Sequence, residues 1–193
     1  MELIIASHNE NKIVEFKKKI GNKFLIKSLR DLNFNEEIPE NENSIKKNAI
    51  YKSKFINNIF QSNVFSDDTG LEIEALNNEP GVRSARYSGE IKNSQNNIQL
   101  VLKNLDGISN RKARFKTVIS LIIGNKNYCF EGIINGTITN KPKGKMGFGY
   151  DPIFVANNMN KTFAEITIEE KNKISHRAIA TNKLIDFLKK KVF

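Results

Sequence analysis

Apolar and polar positions alternate along the chain in a way that predicts short strands and amphipathic helices in turn. Glu2 to Ala6 reads as a short strand buried at its centre, Leu3-Ile4-Ile5. The polar turn Ser7-His8-Asn9-Glu10-Asn11 follows. Ile13, Phe16 and Ile20 then share one face of a helix over Lys12 to Ile20, with Gly21-Asn22 as its stop. Phe24 to Ser28 is a second short strand, and the polar stretch Asn33 to Asn43, with Pro39, is a loop. Ser44 to Phe60 is a longer helix whose stripe runs Ile45, Ala49, Lys52, Ile56, Ile59. Val64 to Asp68 is a strand ending in two acids, broken at Thr69-Gly70, after which Leu71, Ile73 and Ala75 alternate again.

Asn77 to Gly89, with Pro80-Gly81, predicts an irregular connection, and Ile98 to Leu105 a helix. Arg114 to Ile123 and Asn127 to Ile138 read as long antiparallel strands joined at Gly124-Asn125-Lys126. Lys141 to Pro152 is rich in Gly and Lys. Thr167 to Lys171 starts a short helix, and Ser175 is an N-cap for a terminal helix carrying Ala178, Ile179, Ile185 and Leu188. No repeat or composition shift marks a boundary, so residues 1–193 read as one α/β domain with a mixed sheet.

Composition changes this picture in one respect. The chain carries a formal net charge of +10 from 31 Lys and Arg against 21 Asp and Glu. A basic protein invites a nucleic-acid reading, but the lysines are scattered and no aromatic-basic strand motif of RNA-binding sheets is present. A solvated basic surface, or a polyanionic small molecule as ligand, explains the charge as well. The single cysteine, Cys129, excludes an internal disulfide and a Cys-based zinc site, and its alternating surroundings predict a small core residue. No secretory signal and no apolar run long enough to span a bilayer is read, which makes the expectation a cytoplasmic protein.

Four stretches can carry chemistry. Ser7 to Lys12 joins a strand to a helix, where backbone N–H groups suit phosphate; a capped helix start is the bland alternative. Asp67 and Asp68 end a strand, so they point to opposite faces and only one enters a given site. Acids of this kind hold Mg²⁺ in phosphate chemistry, and Asp-Asp-Thr-Gly is equally ordinary turn material. A second metal ligand could come from the acidic loop of Glu36, Glu37, Glu40 and Glu42, although a solvated loop explains most of them. Gly147-Phe148-Gly149-Tyr150-Asp151 offers an aromatic platform for a base and a carboxylate for a ring N–H, or else a Gly-rich turn around a core aromatic. Lys171, His176 and Arg177 are donors suited to an exocyclic oxygen or to phosphate. Both histidines, His8 and His176, lie in polar turns at helix starts and neither reads as a core histidine.

These stretches occur in a fixed order, together with Pro80-Gly81-Val82-Arg83-Ser84-Ala85-Arg86-Tyr87 and Ser175-His176-Arg177. Together they resemble the inosine/xanthosine triphosphate pyrophosphatases, the Ham1-like (RdgB) house-cleaning enzymes, over nearly the whole chain. The resemblance implies an elongated mixed β-sheet with flanking helices, and two lobes around a central cleft. It also implies a homodimer acting without nucleic acid or membrane. The implied reaction is Mg²⁺-dependent cleavage of ITP, dITP and XTP between the α and β phosphates, giving monophosphate and pyrophosphate. Carried onto this sequence, Ser7, His8, Asn9, Glu10, Asn11 and Lys12 would bind the triphosphate. Asp68 would be the catalytic carboxylate, acting on the attacking water and holding Mg²⁺ with Glu40. Thr69, where the family usually has Ser, would keep a hydroxyl near substrate. Phe148 would stack on the purine, Gly149, Tyr150 and Asp151 would line it, and Lys171, His176 and Arg177 would read the 6-oxo group. A pyrophosphatase of the same fold acting on another modified nucleotide is the near alternative, and a basic RNA-binding protein the distant one.

The sequence also departs from that family's pattern. Lys47-Asn48-Ala49 stands where the family shows Glu-Asn-Ala, Asn41-Glu42 where it shows Thr-Gly, and Lys145-Met146 where smaller residues are common. Lys52 falls where the family's helix lysine stands.

Overall fold

The computed structural model describes residues 1–21 and 24–192. A six-stranded mixed sheet in the order β2-β1-β3-β4-β5-β6 forms its frame, with helices flanking it. The chain runs β1 (Glu2–Ile5), α1 (Glu10–Ile20), β2 (Leu25–Ser28), α2 (Ile45–Phe60), β3 (Val64–Ile73), α3 (Ser94–Asn104), β4 (Lys112–Ile123), β5 (Lys126–Ile138), β6 (Phe154–Ala156), α4 (Ile168–Ile174) and α5 (His176–Val192). Strands β1 and β2 pair in parallel, Glu2 opposite Leu25 through Ile5 opposite Ser28. β1 also pairs in parallel with β3, Ile4 opposite Val64. Parallel neighbours need a crossover, and α1 and α2 supply them.

Local chemistry sets the helix ends. Asn9 caps α1 by accepting the Lys12 N–H, Glu10 sits in the first turn and Lys17, Lys18 and Lys19 in the last, each sign matched to the helix dipole. The helix therefore starts two residues before the apolar pattern does. The proposed stop at Gly21 holds; Asn22 lies outside the described residues. Ser44 caps α2 by accepting the Lys47 N–H. Four of the five residues of the α2 stripe are buried, and Ile59 is the exception.

Two expectations change, and β6 adds a strand that the pattern did not predict. Thr69-Gly70 does not break β3, which runs unbroken to Ile73 as an inner strand of the sheet, next to β1 at Val64 and Phe65 and next to β4. β6 pairs antiparallel with β5, Gly136 opposite Ala156, and its three residues are too few to show an alternation. Cys129 is exposed: on β5 it shares a face with Asn127 and Glu131, while Tyr128 and Phe130 point the other way and pack against Phe187.

The chain forms two compact units. The first comprises Met1–Asp68, Thr117–Gly132 and Arg177–Phe193. Alternate residues of β1 supply two clusters there: Leu3 and Ile5 join Phe16, Phe65, Leu121 and Leu184, whereas Ile4 and Ala6 join Leu29, Ile56 and Val64. The second comprises Thr69–Lys116 and Ile133–His176, with a core of Leu71, Val101, Phe115, Ile138, Phe154 and Phe163. A large apolar side chain buried in such a core contributes roughly 1.5–3 kcal/mol relative to exposure. No described helix is long and apolar enough to cross a membrane.

Candidate active site

Within the first unit, β3 delivers Asp67 and Asp68 to different partners. Asp67 is fully buried, with its Oδ2 3.0 Å from Lys12 Nζ and 3.5 Å from Arg177 Nε. Arg177 also binds Glu15 of α1 through its NH1 group. On the other side of the strand, Asp68 Oδ1 lies 3.3 Å from Lys52 Nζ, and Asn48 donates to Asp68 Oδ2 at 3.3 Å. Lys52 reaches Glu40 Oε1 as well, at 2.7 Å. Asn48 in turn accepts the Glu42 N–H at 3.0 Å, so α2 fixes both the acid and the loop that carries Glu40.

Electrostatics separate the two adjacent aspartates. Burial pushes the Asp67 carboxyl up, but Lys12, Arg177 and Lys52 outweigh it and hold the group well below the usual carboxylate range. At Asp68 burial wins over Lys52 and Lys12, and Glu40 and Asp67 add to it, so the carboxyl titrates above its ordinary value. Lys52 is pulled down by burial and up by Asp68, Glu40 and Asp67; the acids prevail and keep it firmly protonated. Lys12 is lowered, chiefly by burial.

The turn ahead of α1 is organised by its own side chains. Ser7 Oγ accepts the Asn9 N–H at 3.2 Å, and the Asn9 side chain is committed to the cap. Glu10 and Asn11 are exposed in the first turn, where helical N–H groups have no intrahelical partner. His8 is exposed; its ring lies parallel to that of Phe34, centroids 6.2 Å apart, and its Nε2–H donates to the Glu36 carbonyl at 2.9 Å.

A second group of side chains belongs to the second unit. Asp151 is buried; its Oδ2 accepts from Lys171 Nζ at 2.6 Å and from the Phe148 N–H at 2.8 Å. The Lys171 ammonium stands 4.7 Å from the centroid of the half-exposed Phe148 ring. Gly147 makes this turn possible, because its φ is +74° and a Cβ there would come within 2.1 Å of Asp151 Oδ2. The Tyr150 ring is buried in the core and its hydroxyl donates to the Ser84 carbonyl at 2.9 Å. Gly149 completes the turn. Contrary to the sequence expectation, His176 is a buried histidine, with its ring stacked on Phe115 at 4.5 Å and facing Phe163 at 6.5 Å.

The matching family model is that of the Ham1 family, over residues 3–187. The chain belongs to the Ham1 family. A dITP/XTP pyrophosphatase of Flavobacterium johnsoniae is 48% identical to it over 188 residues, 97% of this chain and 98% of that one. The structure of the Staphylococcus aureus Ham1 protein matches with a TM-score of 0.90 at 38% identity, covering 99% of this chain and 100% of the other. A HAM1 protein from Coxiella burnetii matches with a TM-score of 0.91 at 34% identity, covering 98% and 99%. The α/β fold read from the Ham1-like motifs is thus the observed one.

Of the residues expected to act, Lys12, Glu40 and Asp68 fall in the first group, and Phe148, Asp151, Lys171 and His176 in the second. Arg177 meets Asp67 and Glu15. Thr69 follows Asp68 on β3 and is half-buried. Sequence reasoning gave no role to Asn48 or Glu15, took Asp67 and Asp68 as a pair of which only one enters the site, and placed Lys52 at the family's helix lysine without a partner. A lysine on an otherwise apolar helical stripe was the available signal for Lys52. For Glu15 there was none, since its partner is 162 residues away.

Proposed function

We propose that this chain hydrolyses the non-standard purine nucleoside triphosphates ITP, dITP and XTP to monophosphate and pyrophosphate. It acts as a hydrolase on acid anhydrides and keeps these nucleotides out of the pool. One observation carries the reading: Asp68 is a buried carboxylate oriented by Asn48 and Lys52 and raised above its ordinary pKa by burial, next in the chain to Asp67, which holds the cations Lys12 and Arg177. The names of the relatives support the substrate class.

A triphosphate brings about four negative charges, which must be offset before water can attack phosphorus. Lys12 and the first-turn N–H groups of α1, beside Ser7, His8, Asn9, Glu10 and Asn11, would take part of that charge, and Arg177 acts on the same side. Asp68 accepts the proton of the attacking water, its raised pKa bringing it nearer the working pH. The anhydride between the α and β phosphates breaks, and pyrophosphate leaves. Thr69 supplies a hydroxyl beside it.

The donor set suits Mg²⁺. Glu40 and Asp68 present hard oxygens to one shared ammonium, so their carboxylates converge on a small region. No group of three or more His, Cys, Asp or Glu side chains that could hold a metal occurs among the described residues. A Mg²⁺ ion held by one or two carboxylates completes its shell with water and substrate phosphate. Bound there by Glu40 and Asp68, Mg²⁺ would neutralise developing phosphate charge.

The second group handles the base. Phe148 stacks on the purine, Asp151 accepts a ring N–H and Lys171 donates to the 6-oxo oxygen. An adenine 6-amino group cannot accept that donor, and a buried polar group left unpaired rejects the wrong base strongly. His176, packed against Phe115, contributes through its ring edge.

The test is parallel incubation with Mg²⁺ and ITP, dITP, XTP, ATP or GTP, resolving monophosphate, pyrophosphate and orthophosphate. Selective formation of IMP, dIMP and XMP with pyrophosphate is expected. Equal turnover of ATP and ITP would remove the base assignment, and orthophosphate release would remove the reaction. Cleavage confined to another modified nucleotide would shift the substrate within the same chemistry. We also propose a cytoplasmic homodimer in which residues 1–193 act as one functional domain, to be checked by light scattering.

A further inference from the structure

The segment Pro80 to Tyr87 is one of the stretches that carry the resemblance, yet none of its residues enters the chemistry above. Its geometry gives it a task. Ser84 Oγ accepts the Leu71 N–H of β3 at 2.9 Å and donates to the Gly81 carbonyl at 2.6 Å. The Ser84 carbonyl accepts from the Tyr150 hydroxyl at 2.9 Å and from Asn97 Nδ2 at 3.3 Å. Asn97, a buried residue of α3, also donates to the Ala85 carbonyl at 3.1 Å and accepts from the Ser88 N–H at 2.8 Å and its hydroxyl at 2.7 Å. One serine thus ties β3, α3 and the turn that holds Phe148 and Asp151.

We propose that Ser84 is a positioning residue for base selection, setting the Phe148–Asp151 turn through Tyr150 and braced by Asn97. The proposal rests on the base-reading role given to Phe148, Asp151 and Lys171. Tyr150 lies between Phe148 and Asp151 in the chain, so its ring cannot shift without moving both neighbours. Its buried ring fixes the depth of the turn, and the hydroxyl fixes the rotation about it. The turn also leans on a second brace, since the Lys145 and Met146 N–H groups both donate to the Ala164 carbonyl at 3.0 Å. Loss of the Ser84 brace therefore loosens the turn without unfolding it.

The variants are Ser84→Ala, Ser84→Thr and Tyr150→Phe in the full chain. Two readouts are taken: the ratio of kcat/KM for ITP over ATP, and amide hydrogen exchange of residues 147–151 in the free protein. Tyr150→Phe loses one hydrogen bond and is expected to raise KM for ITP and lower the ratio about fivefold. Ser84→Ala is expected to act in the same direction, and Ser84→Thr, which keeps the hydroxyl, to restore most of the ratio. Exchange at residues 147–151 should quicken in Ser84→Ala and Tyr150→Phe, while that of α2 stays as in the parent. Unchanged exchange at the turn in both variants overturns the brace, whatever the activity. Faster exchange with an unchanged ratio overturns the link to selection. If the parent chain shows no preference for ITP, the base-reading assignment fails first, and the exchange data still decide whether the brace exists.

Discussion

Asp67 and Asp68 are neighbours on β3, yet they serve different cations: Asp67 meets Lys12 and Arg177, and Asp68 meets Lys52. Strand alternation separates them, and it predicts different losses. Asp68→Asn keeps the shape but leaves one of the two donors, Asn48 or Lys52, without its acceptor and removes the base, so turnover should fall roughly 10²–10⁴-fold, while Glu40 still pairs with Lys52 and limits the change in urea midpoint. Asp67→Asn removes a buried charge from between cations and should cost about 3 kcal/mol of stability, read in the same denaturation. Near-normal turnover in Asp68→Asn would dismiss it as the general base.

The opposite pKa directions give opposite pH behaviour. Asp68 is raised, so it ionises only above the ordinary aspartate value near pH 4, and kcat/KM should fall on an acid limb displaced upward. Lys52 is the charge that most lowers Asp68, so Lys52→Gln should move that limb higher still; an unmoved limb would mean another group sets it. In stability, the folded state holds the Asp68 proton more tightly than the unfolded chain. That contribution declines as pH rises through the interval between the ordinary and the raised value. Asp67 is depressed, so its contribution is full above its unfolded pKa, near 4, and is lost as pH falls below it.

Phe148→Ala removes a surface that holds the base equally in ground and transition states. KM for ITP should rise about tenfold, with kcat within about threefold. Steady-state kinetics on ITP and ATP check this, and an unchanged KM would place the base elsewhere.

Lys47 bears on stability rather than chemistry. It is exposed in the first turn of α2, three residues after the Ser44 cap, where its side chain cannot return a bond and its charge opposes the helix dipole. Lys47→Glu would complete the capping box. It should stabilise by about 0.5–1 kcal/mol, or about 1–4 °C in Tm, with kcat unchanged. A rise in kcat beyond about threefold would show that an acid at this position serves the reaction.

How much of this was legible follows from which contacts are local. The ends of β1, the body of α2 and the opposed faces of Asp67 and Asp68 depend on short-range periodicity, and the sequence pattern showed them. β3 continued through Thr69-Gly70 as a neighbour of β4, a strand distant in the chain, which no local window contains. The Tyr150 hydroxyl meets the Ser84 carbonyl 66 residues away, a contact no local window contains. Arg177 follows His176 in the chain, and its contact with Glu15, 162 residues away, lies outside any local window. Cys129 failed for the simplest reason: alternation fixes that two faces exist, not which one is wet.

Gly147 has no functional group, yet the turn that presents Phe148 and Asp151 tolerates nothing else there. Any side chain at this position meets Asp151 Oδ2 and must also adopt a left-handed φ. In a saturation scan scored by growth on a nucleotide-damaging challenge, Gly147 should therefore rank among the least replaceable positions. It should outrank Phe148, whose ring another flat side chain can partly replace. Residues ranked by the chemistry of their side chains would miss it entirely.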